Sequence, residues 1–433
     1  MSSELTRRAF VKRSSAATVG LAASLSSSRV VGANDRIRVG FIGIANRGGQ
    51  LIEAALPNKD MDIVALCDVD RRYLDKWTQK LGGNVDTYGD FRRLIERDDI
   101  DAVFIATPDH WHAIQTISAC DADKDVFVEK PLSITIVEGR RMVEAARRNN
   151  RVVQVGTHRR SSTLFPQLAK LIRDGGVGKV TVARCYRISN MYPDGIGIAP
   201  DSDPPEGLDW DMWLGPRPWR PFNKNIHPYK FRWWKEYSSQ VGNWGVHYFD
   251  LIRWLLGEEA PAAVTALGGK FAVNDARDIP DTMEVIFEFA SGRLMLFGQY
   301  EASGNRALRS GEIELRGTLG TVYAGSGSYE IIPERAGQFG DPKPLSEGAK
   351  VSSKDGDLTA KHIRNFLDCI KSRERPNADV EDGHRSTTFS HLANIALETR
   401  SRIEWDPERE RITNNESANE LLHYEYRAPW KLG

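Results

Sequence analysis

"DRIRVGFIGIANRGGQLIEAAL", residues 35–56, is the stretch on which the fold turns. Ile37 to Ile42 reads as a short buried strand and Gly43 to Gly49 as a turn. From Gln50 onward Leu51, Ala54 and Ala55 take up helical spacing. The turn carries Gly43-x-Ala45-x-x-Gly48, with Asn46 and Arg47 inside it. In a strand–turn–helix of this kind the first glycine permits a tight bend, and the last lets helix and strand pack closely. The helix N-terminus then offers N–H groups to a pyrophosphate. Ala45 stands where a middle glycine is usual, adding one methyl group where phosphates approach. The expectation is a slightly displaced ligand that still binds.

Downstream, the pattern repeats. The strand in "DIVALCDVD" leads to Asp68, placed to accept hydrogen bonds from the adenosine ribose. A carboxylate there repels a 2′-phosphate and favours NAD. Arg71 and Arg72 follow closely and keep NADP open as an alternative. The bland reading is an ordinary βαβ unit with a solvated acid. A helix at 71–81, a strand near Val85–Tyr88 and a helix from Phe91 come next. Ala102 to Ala106 reads as a buried strand ended by Thr107-Pro108, where ligands gather in doubly wound sheets. A helix to Cys120, a strand in "DVFVEKPLS" and a sixth strand at Val152–Val155 complete a parallel, right-handed α/β pattern.

Upstream lies "MSSELTRRAFVKRSSAATVGLAASLSSS". Arg7-Arg8, a short Ala/Ser/Leu-rich stretch and a small-residue site at Val31-Gly32-Ala33 follow one another in the order of a twin-arginine export leader. The apolar stretch is too short to span a bilayer, which needs about 20 residues. The expected division is therefore a leader at 1–33, a dinucleotide domain at 34–157 and a second domain at 158–433. The whole chain has 59 basic and 59 acidic residues, and without the leader 54 and 58. No basic tract suited to nucleic acid remains. The four cysteines show no CxxC spacing, and no His/Cys cluster suggests a metal.

"ATPDHWHA" beside "FVEKPLS", with "GNWGVHYFDLIRWLLG" further on, makes the mature chain resemble the glucose–fructose oxidoreductase, inositol dehydrogenase and rhizopine-catabolism family, Gfo/Idh/MocA. The resemblance implies a Rossmann domain followed by an α+β domain with a large, open, mainly antiparallel sheet. "TMEVIFEFASGRLMLFGQYEA" and its neighbours support that second part independently, being β-rich and alternating. A broad sheet with one uncovered face usually meets a partner, so a homo-oligomer is expected, a dimer or tetramer.

The resemblance also assigns roles. Lys130 projects to the reaction centre, with Glu129 and Pro131 fixing its turn; its ammonium holds the substrate oxygen, or its amine exchanges the proton. His247 is the second catalytic candidate, either as base or as a hydrogen-bonding partner of substrate. The usual aspartate one helical turn before it is Asn243 here, which removes a carboxylate from the imidazole; Asp250 is a conceivable substitute. His110 and His112 fall where the family lines the nicotinamide pocket. His158, Arg159 and Arg160 follow strand six and reach either substrate or solvent, while His384 and His391 resemble structural residues of a C-terminal helix. Seven of the eleven tryptophans lie between Trp210 and Trp254. Most suit loop packing or an interface, and Trp244 alone is assigned to a substrate-stacking role.

These residues point to an exported NAD(P)-dependent oxidoreductase acting on a sugar, glycoside or cyclic polyol. A leader for folded cargo implies a cofactor loaded before export and held tightly. The alternatives are a redox-neutral, NAD-assisted glycoside lyase, hydrolase or epimerase on the same scaffold, and a non-catalytic sugar-binding protein. In the family, glycosidases tend to alter the EKP segment, which is intact here.

Overall fold

Eleven alternating elements build the first sheet: β1 (Ile37–Ile42), α1 (Arg47–Ala55), β2 (Met61–Cys67), α2 (Arg71–Lys80), β3 (Asp86–Tyr88), α3 (Phe91–Ile95), β4 (Ala102–Ile105), α4 (His112–Asp121), β5 (Asp125–Val128), α5 (Ile136–Arg148) and β6 (Val153–Val155). The strand order is β3-β2-β1-β4-β5-β6, every pair parallel. This is the doubly wound arrangement, with its switch point between β1 and β4. The computed structural model describes residues 36–337, 339–340 and 342–433. The arginine pair and the rest of the leader lie outside them.

Parallel sheets need cover on both faces, which is why the strands read as near-continuous apolar runs. On one face Val39, Phe41 and Phe104 meet Leu51 and Ile52 of α1 and Trp77 of α2. On the other, Ile42, Val103 and Val126 meet Leu94 of α3, Ile117 of α4 and Met142 of α5. Gly40 makes room for α3: a Cβ there would lie 2.7 Å from a Leu94 methyl. Element ends differ from the sequence reading by a few residues. The first helix begins at Arg47 rather than Gln50, because the turn is completed by Ala45 and Asn46. Strand six begins at Val153, and β3 at Asp86.

After α6 (Leu164–Arg173) the chain enters β7 (Val180–Ile188), and then an irregular insertion holding the short helix α7 (Trp210–Leu214). A π-helical turn at Val241–Gly245 leads into α8 (Val246–Leu256). The remaining strands are β8 (Ala263–Gly269), β9 (Thr282–Glu288), β10 (Leu294–Tyr300), β11 (Ile313–Gly317), β12 (Gly320–Ala324), β13 (Ser328–Pro333) and β14 (Ala349–Ser352). Helices α9 (Leu358–Ser372) and α10 (Val380–Thr399) follow, then β15 (Ile403–Asp406) and β16 (Arg411–Ile412), and a 3-10 helix at Glu416–Leu422 comes last. The second sheet has ten strands in the order β14-β13-β12-β11-β7-β10-β9-β8-β15-β16. Only β7 and β10 run parallel; the other pairs are antiparallel.

Period-two alternation gives this sheet two unlike faces. Met283, Val285 and Phe287 of β9 pack on Phe249 of α8 and Phe389 of α10, while Glu284 and Ile286 point the other way. Leu267, Ile286 and Leu294 are exposed. Helix α9 leaves this sheet and returns to the first one. Its Ile363, Phe366 and Leu367 join the core of Phe41 and Phe104, with Phe366 edge-on to Phe104 at 5.5 Å. Residues remote in sequence therefore complete the dinucleotide half.

Candidate active site

The cleft opens where the ends of β1, β2 and β4 meet α1. Gly43 has φ +79°, a conformation that costs a side chain dearly, and a Cβ there would sit 2.7 Å from the Thr107 nitrogen. At Gly48 a Cβ would come within 1.8 Å of the Gly43 carbonyl oxygen, so the helix can lie against the turn only with glycine. No side chain caps α1, whose N-terminus faces the turn. Gly43, Ala45, Asn46, Arg47, Asp68, Thr107 and Pro108 all line one cleft. Asp68 is buried and accepts from the backbone N–H groups of Ile44 (2.8 Å) and Asp70 (3.0 Å). Burial raises its pKa to about 6, against those two hydrogen bonds and with the nearby Asp70 charge.

The far wall of the cleft comes from the insertion: Met212, Trp213, His227, Pro228, Phe231 and Arg232. The sequence reading misses these residues as cofactor neighbours. Their signal was the tryptophan-rich composition, which by itself did not reveal which surface the insertion covers. The insertion is fixed to the first sheet through Arg71 N–H to the Gly207 carbonyl (2.8 Å) and Asp209 N–H to the Val69 carbonyl (2.9 Å).

Lys130 follows β5, and its peptide bond to Pro131 is cis. Its turn is held from two sides. His112 places its ring between the Pro131 carbonyl (2.8 Å) and the Thr107 carbonyl (3.0 Å). Glu129 accepts from Arg47 (2.7 Å) and from the Lys130 N–H (3.1 Å). Gly156 lies under Glu129, and a Cβ there would be 2.8 Å from the carboxylate. The Lys130 Nζ donates to the backbone oxygen of Asn243 (3.0 Å) and to its Oδ1 (2.9 Å). Burial lowers the pKa of this amine to about 8; Glu129 opposes the shift, and Arg232 reinforces it.

Asn243 therefore serves Lys130 rather than His247. The four-residue spacing assumed a regular helix, but 241–245 is a π turn, which breaks that register. The His247 Nδ1 has no protein partner, and its ring meets His158 edge-on at 5.5 Å. Burial first, then the charges of Arg159 and Lys130, hold its pKa well below the usual value. Arg159 is almost wholly buried; it bonds Glu312 (2.7 Å) through one nitrogen and leaves Nε and Nη1 without protein acceptors. Trp244 packs beneath Arg187, 4.3 Å from the guanidinium carbon to the ring centre, and near His247. Lys130, Asn243, Trp244, His247, His158 and Arg159 thus form one neighbourhood.

Three assignments are corrected. Arg160 does not reach substrate: Asp250 grips it at 2.8 Å, with Asp382 at 3.4 Å, and this also removes Asp250 as a partner for His247. His110 is fully buried behind the cleft, its Nε2–H donating to the Trp213 carbonyl (2.9 Å), and burial lowers its pKa to about 3. His112 is likewise a brace between two loops rather than part of the cleft lining. His384 and His391 lie on α10, the former bonded to Glu410 at 2.7 Å.

Three family models tile this architecture. "Oxidoreductase family, NAD-binding Rossmann fold" matches residues 37–157, "GFO/IDH/MocA C-terminal domain" matches 165–323, and "Oxidoreductase family, C-terminal alpha/beta domain" matches 348–432. The chain belongs to the Gfo/Idh/MocA family. Myo-inositol 2-dehydrogenase of Thermotoga maritima is 25% identical over 374 residues, 85% of this chain and 98% of that protein. A glycosyl hydrolase family 109 protein of Shewanella pealeana is 32% identical over 177 residues, but these span 34% of this chain and 38% of that one. Among solved structures, a levoglucosan dehydrogenase in complex with NADH and levoglucosan superposes with a TM-score of 0.65 at 18% identity, covering 86% of this chain and 99% of that one.

The residues present fit the NAD of a Gfo/Idh/MocA oxidoreductase. The two glycines are sterically obligatory, the helix start is uncapped by any side chain, and Asp68 keeps lone pairs beyond its two backbone contacts. Gly43 to Arg47 would hold the pyrophosphate, Asp68 the adenosine ribose, and Thr107 and Pro108 the cleft floor towards Lys130. No cluster of three or more His, Cys, Asp or Glu suited to a metal occurs among the described residues.

Proposed function

We propose that the protein is an exported oxidoreductase that transfers hydride between a sugar, glycoside or cyclic polyol and a tightly held NAD. Lys130 carries this reading. The bound nicotinamide supplies the hydride acceptor; the protein's task is the hydroxyl proton. A neutral Lys130 amine with both N–H groups on Asn243 directs its lone pair along the remaining tetrahedral position, available to a carbinol hydroxyl. A pKa near 8 suits it both to take that proton and to return it. His247 is poorly placed to do so, because an imidazolium there would be buried among cations without a carboxylate partner. It acts as a neutral hydrogen-bonding group on the substrate, together with the free N–H groups of Arg159. Arg187 covers one face of Trp244, so a sugar ring would have to meet the other face or the ring edge.

The twin-arginine leader supports export, and export favours a cofactor that stays bound and is reoxidised in place. The uncovered, partly apolar face of the second sheet supports a homo-oligomer. No helix among the described residues is long and apolar enough to cross a membrane. The test is to denature the purified mature protein, assay the supernatant for NAD and NADP, and screen glycosides and cyclitols for keto products. Absence of both nucleotides, with no binding of added NAD, overturns the proposal.

The partial match to glycosyl hydrolase family 109 favours one second reading, in which oxidation initiates glycoside cleavage and re-reduction closes the cycle. Release of aglycone without net keto product would distinguish it.

A further inference from the structure

We infer that the tryptophan-rich insertion is the second half of the dinucleotide site, with Trp213, Phe231 and Arg232 as cofactor-facing residues, and that the C-terminal segment 424–430 locks it in place. This rests on the proposal that NAD is held tightly. Asp68, which the ribose must reach, is only 9% exposed with the insertion in position. The same cleft is lined by first-sheet residues and by Trp213, Phe231 and Arg232, so dinucleotide cannot occupy it without meeting both. Arg232 adds positive charge to this wall, and its guanidinium lies over the Tyr229 and Phe231 rings at 4.3 and 4.4 Å.

The insertion is clamped along three lines. Near Asp68 it is tied by the backbone bonds of Gly207 and Asp209 already described. In the middle, the Trp213 carbonyl accepts from His110 (2.9 Å) and from the Trp111 indole N–H (3.0 Å). Behind α7, Arg427 donates to the Gly215 carbonyl (3.0 Å), the Asp211 carbonyl (3.0 Å) and the Asp211 carboxylate (2.6 Å). Arg217 lies over Tyr424 at 3.9 Å. Trp430 closes the set, edge-on to Trp111 at 4.7 Å, and Trp111 itself lines the cleft. Arg427 and Trp430 touch no cofactor; they are positioning residues for the wall that does. Opening the wall requires breaking contacts made by a segment some 200 residues away in sequence, so NAD release is coupled to undocking of the C-terminus.

The test measures retention rather than turnover. Full-length holoprotein, Arg427→Ala, Arg427→Lys and Trp430→Ala are loaded with labelled NAD and chased with unlabelled NAD. Losing the Arg427 contacts should speed NAD release about tenfold or more, the lysine variant falling between, with initial turnover at saturating NAD and thermal midpoint little changed. Equal release rates in folded wild type and variants overturn the inference. Should the variants fail to fold, hydrogen exchange of residues 207–232 in the wild type decides: slower exchange on adding NAD supports the wall, unchanged exchange refutes it. A wild type that neither contains nor binds NAD would sink the parent proposal instead.

Discussion

The two halves of the site are held by different means. In the dinucleotide half the decisive contacts are backbone ones: Gly43 against Thr107, Gly48 against Gly43, Asp68 against two N–H groups. In the half proposed to take the carbinol they are side chains from distant elements, Lys130 on a loop after β5, Asn243 in a π turn and Arg159 after β6. Several of these atoms, including His247 Nδ1 and Arg159 Nε, have no protein partner. The first half is a mould that accepts one kind of ligand. The second is a set of polar groups, Lys130, His247 and Arg159, with bonding capacity left over.

If that contrast is right, the largest single loss should come from Lys130→Met. The methionine keeps volume and removes the amine, so turnover should fall by about a thousandfold or more while NAD binding stays intact. Stopped-flow turnover beside an NAD titration checks both, and a small loss would break the comparison at its centre. Next, Asp68→Asn should weaken NAD binding about tenfold, the scale of a hydrogen bond to a charged acceptor, and should narrow the preference over NADP. Because burial raises the Asp68 pKa to about 6, apo-protein affinity for NAD should also decline as pH falls below that value, where the acceptor becomes protonated. Calorimetry across pH 5 to 8 (about the accessible range) would reveal it.

Further down the scale, His247→Leu should cost about tenfold in kcat/KM for the substrate, appearing mainly in KM, since a neutral hydrogen-bonding group is lost. A drop in kcat as large as that of Lys130→Met would instead restore His247 as the base.

How much of this was legible beforehand follows the same division. The alternation of strands and helices, the glycine turn and EKP are local, so the first sheet and several residues lining its cleft could be read directly. Gly43, Asp68, Thr107 and Pro108 all lie on the cleft. What escaped were contacts decided by the third dimension. Arg160 and Arg159 are neighbours in sequence, yet one is consumed by Asp250 and the other faces the site. Asn243 was judged by helical spacing, which the π turn invalidates. The insertion was read as packing because tryptophan count says nothing about which surface is packed, and α9 gave no sign that it returns to the first sheet.

The smallest expected effect tests the lysine–amide pair itself. Two neutral oxygens of Asn243 now receive the Lys130 Nζ, at 2.9 and 3.0 Å, so no full negative charge on that side holds the ammonium. Asn243→Asp replaces one of those oxygens with a charged one at nearly unchanged volume. An anion at that distance stabilises the protonated form, so the Lys130 pKa should rise by about one unit or more. With Lys130 as the proposed base, oxidation requires the amine, so its rate should rise with pH through about 8 in the wild type and through a correspondingly higher pH in the variant. The reductive direction requires the ammonium and should gain the same window that oxidation loses. Opposite displacement of the two activities at fixed pH, with NAD binding unaltered, is a signature that misfolding or simple loss of a contact cannot imitate.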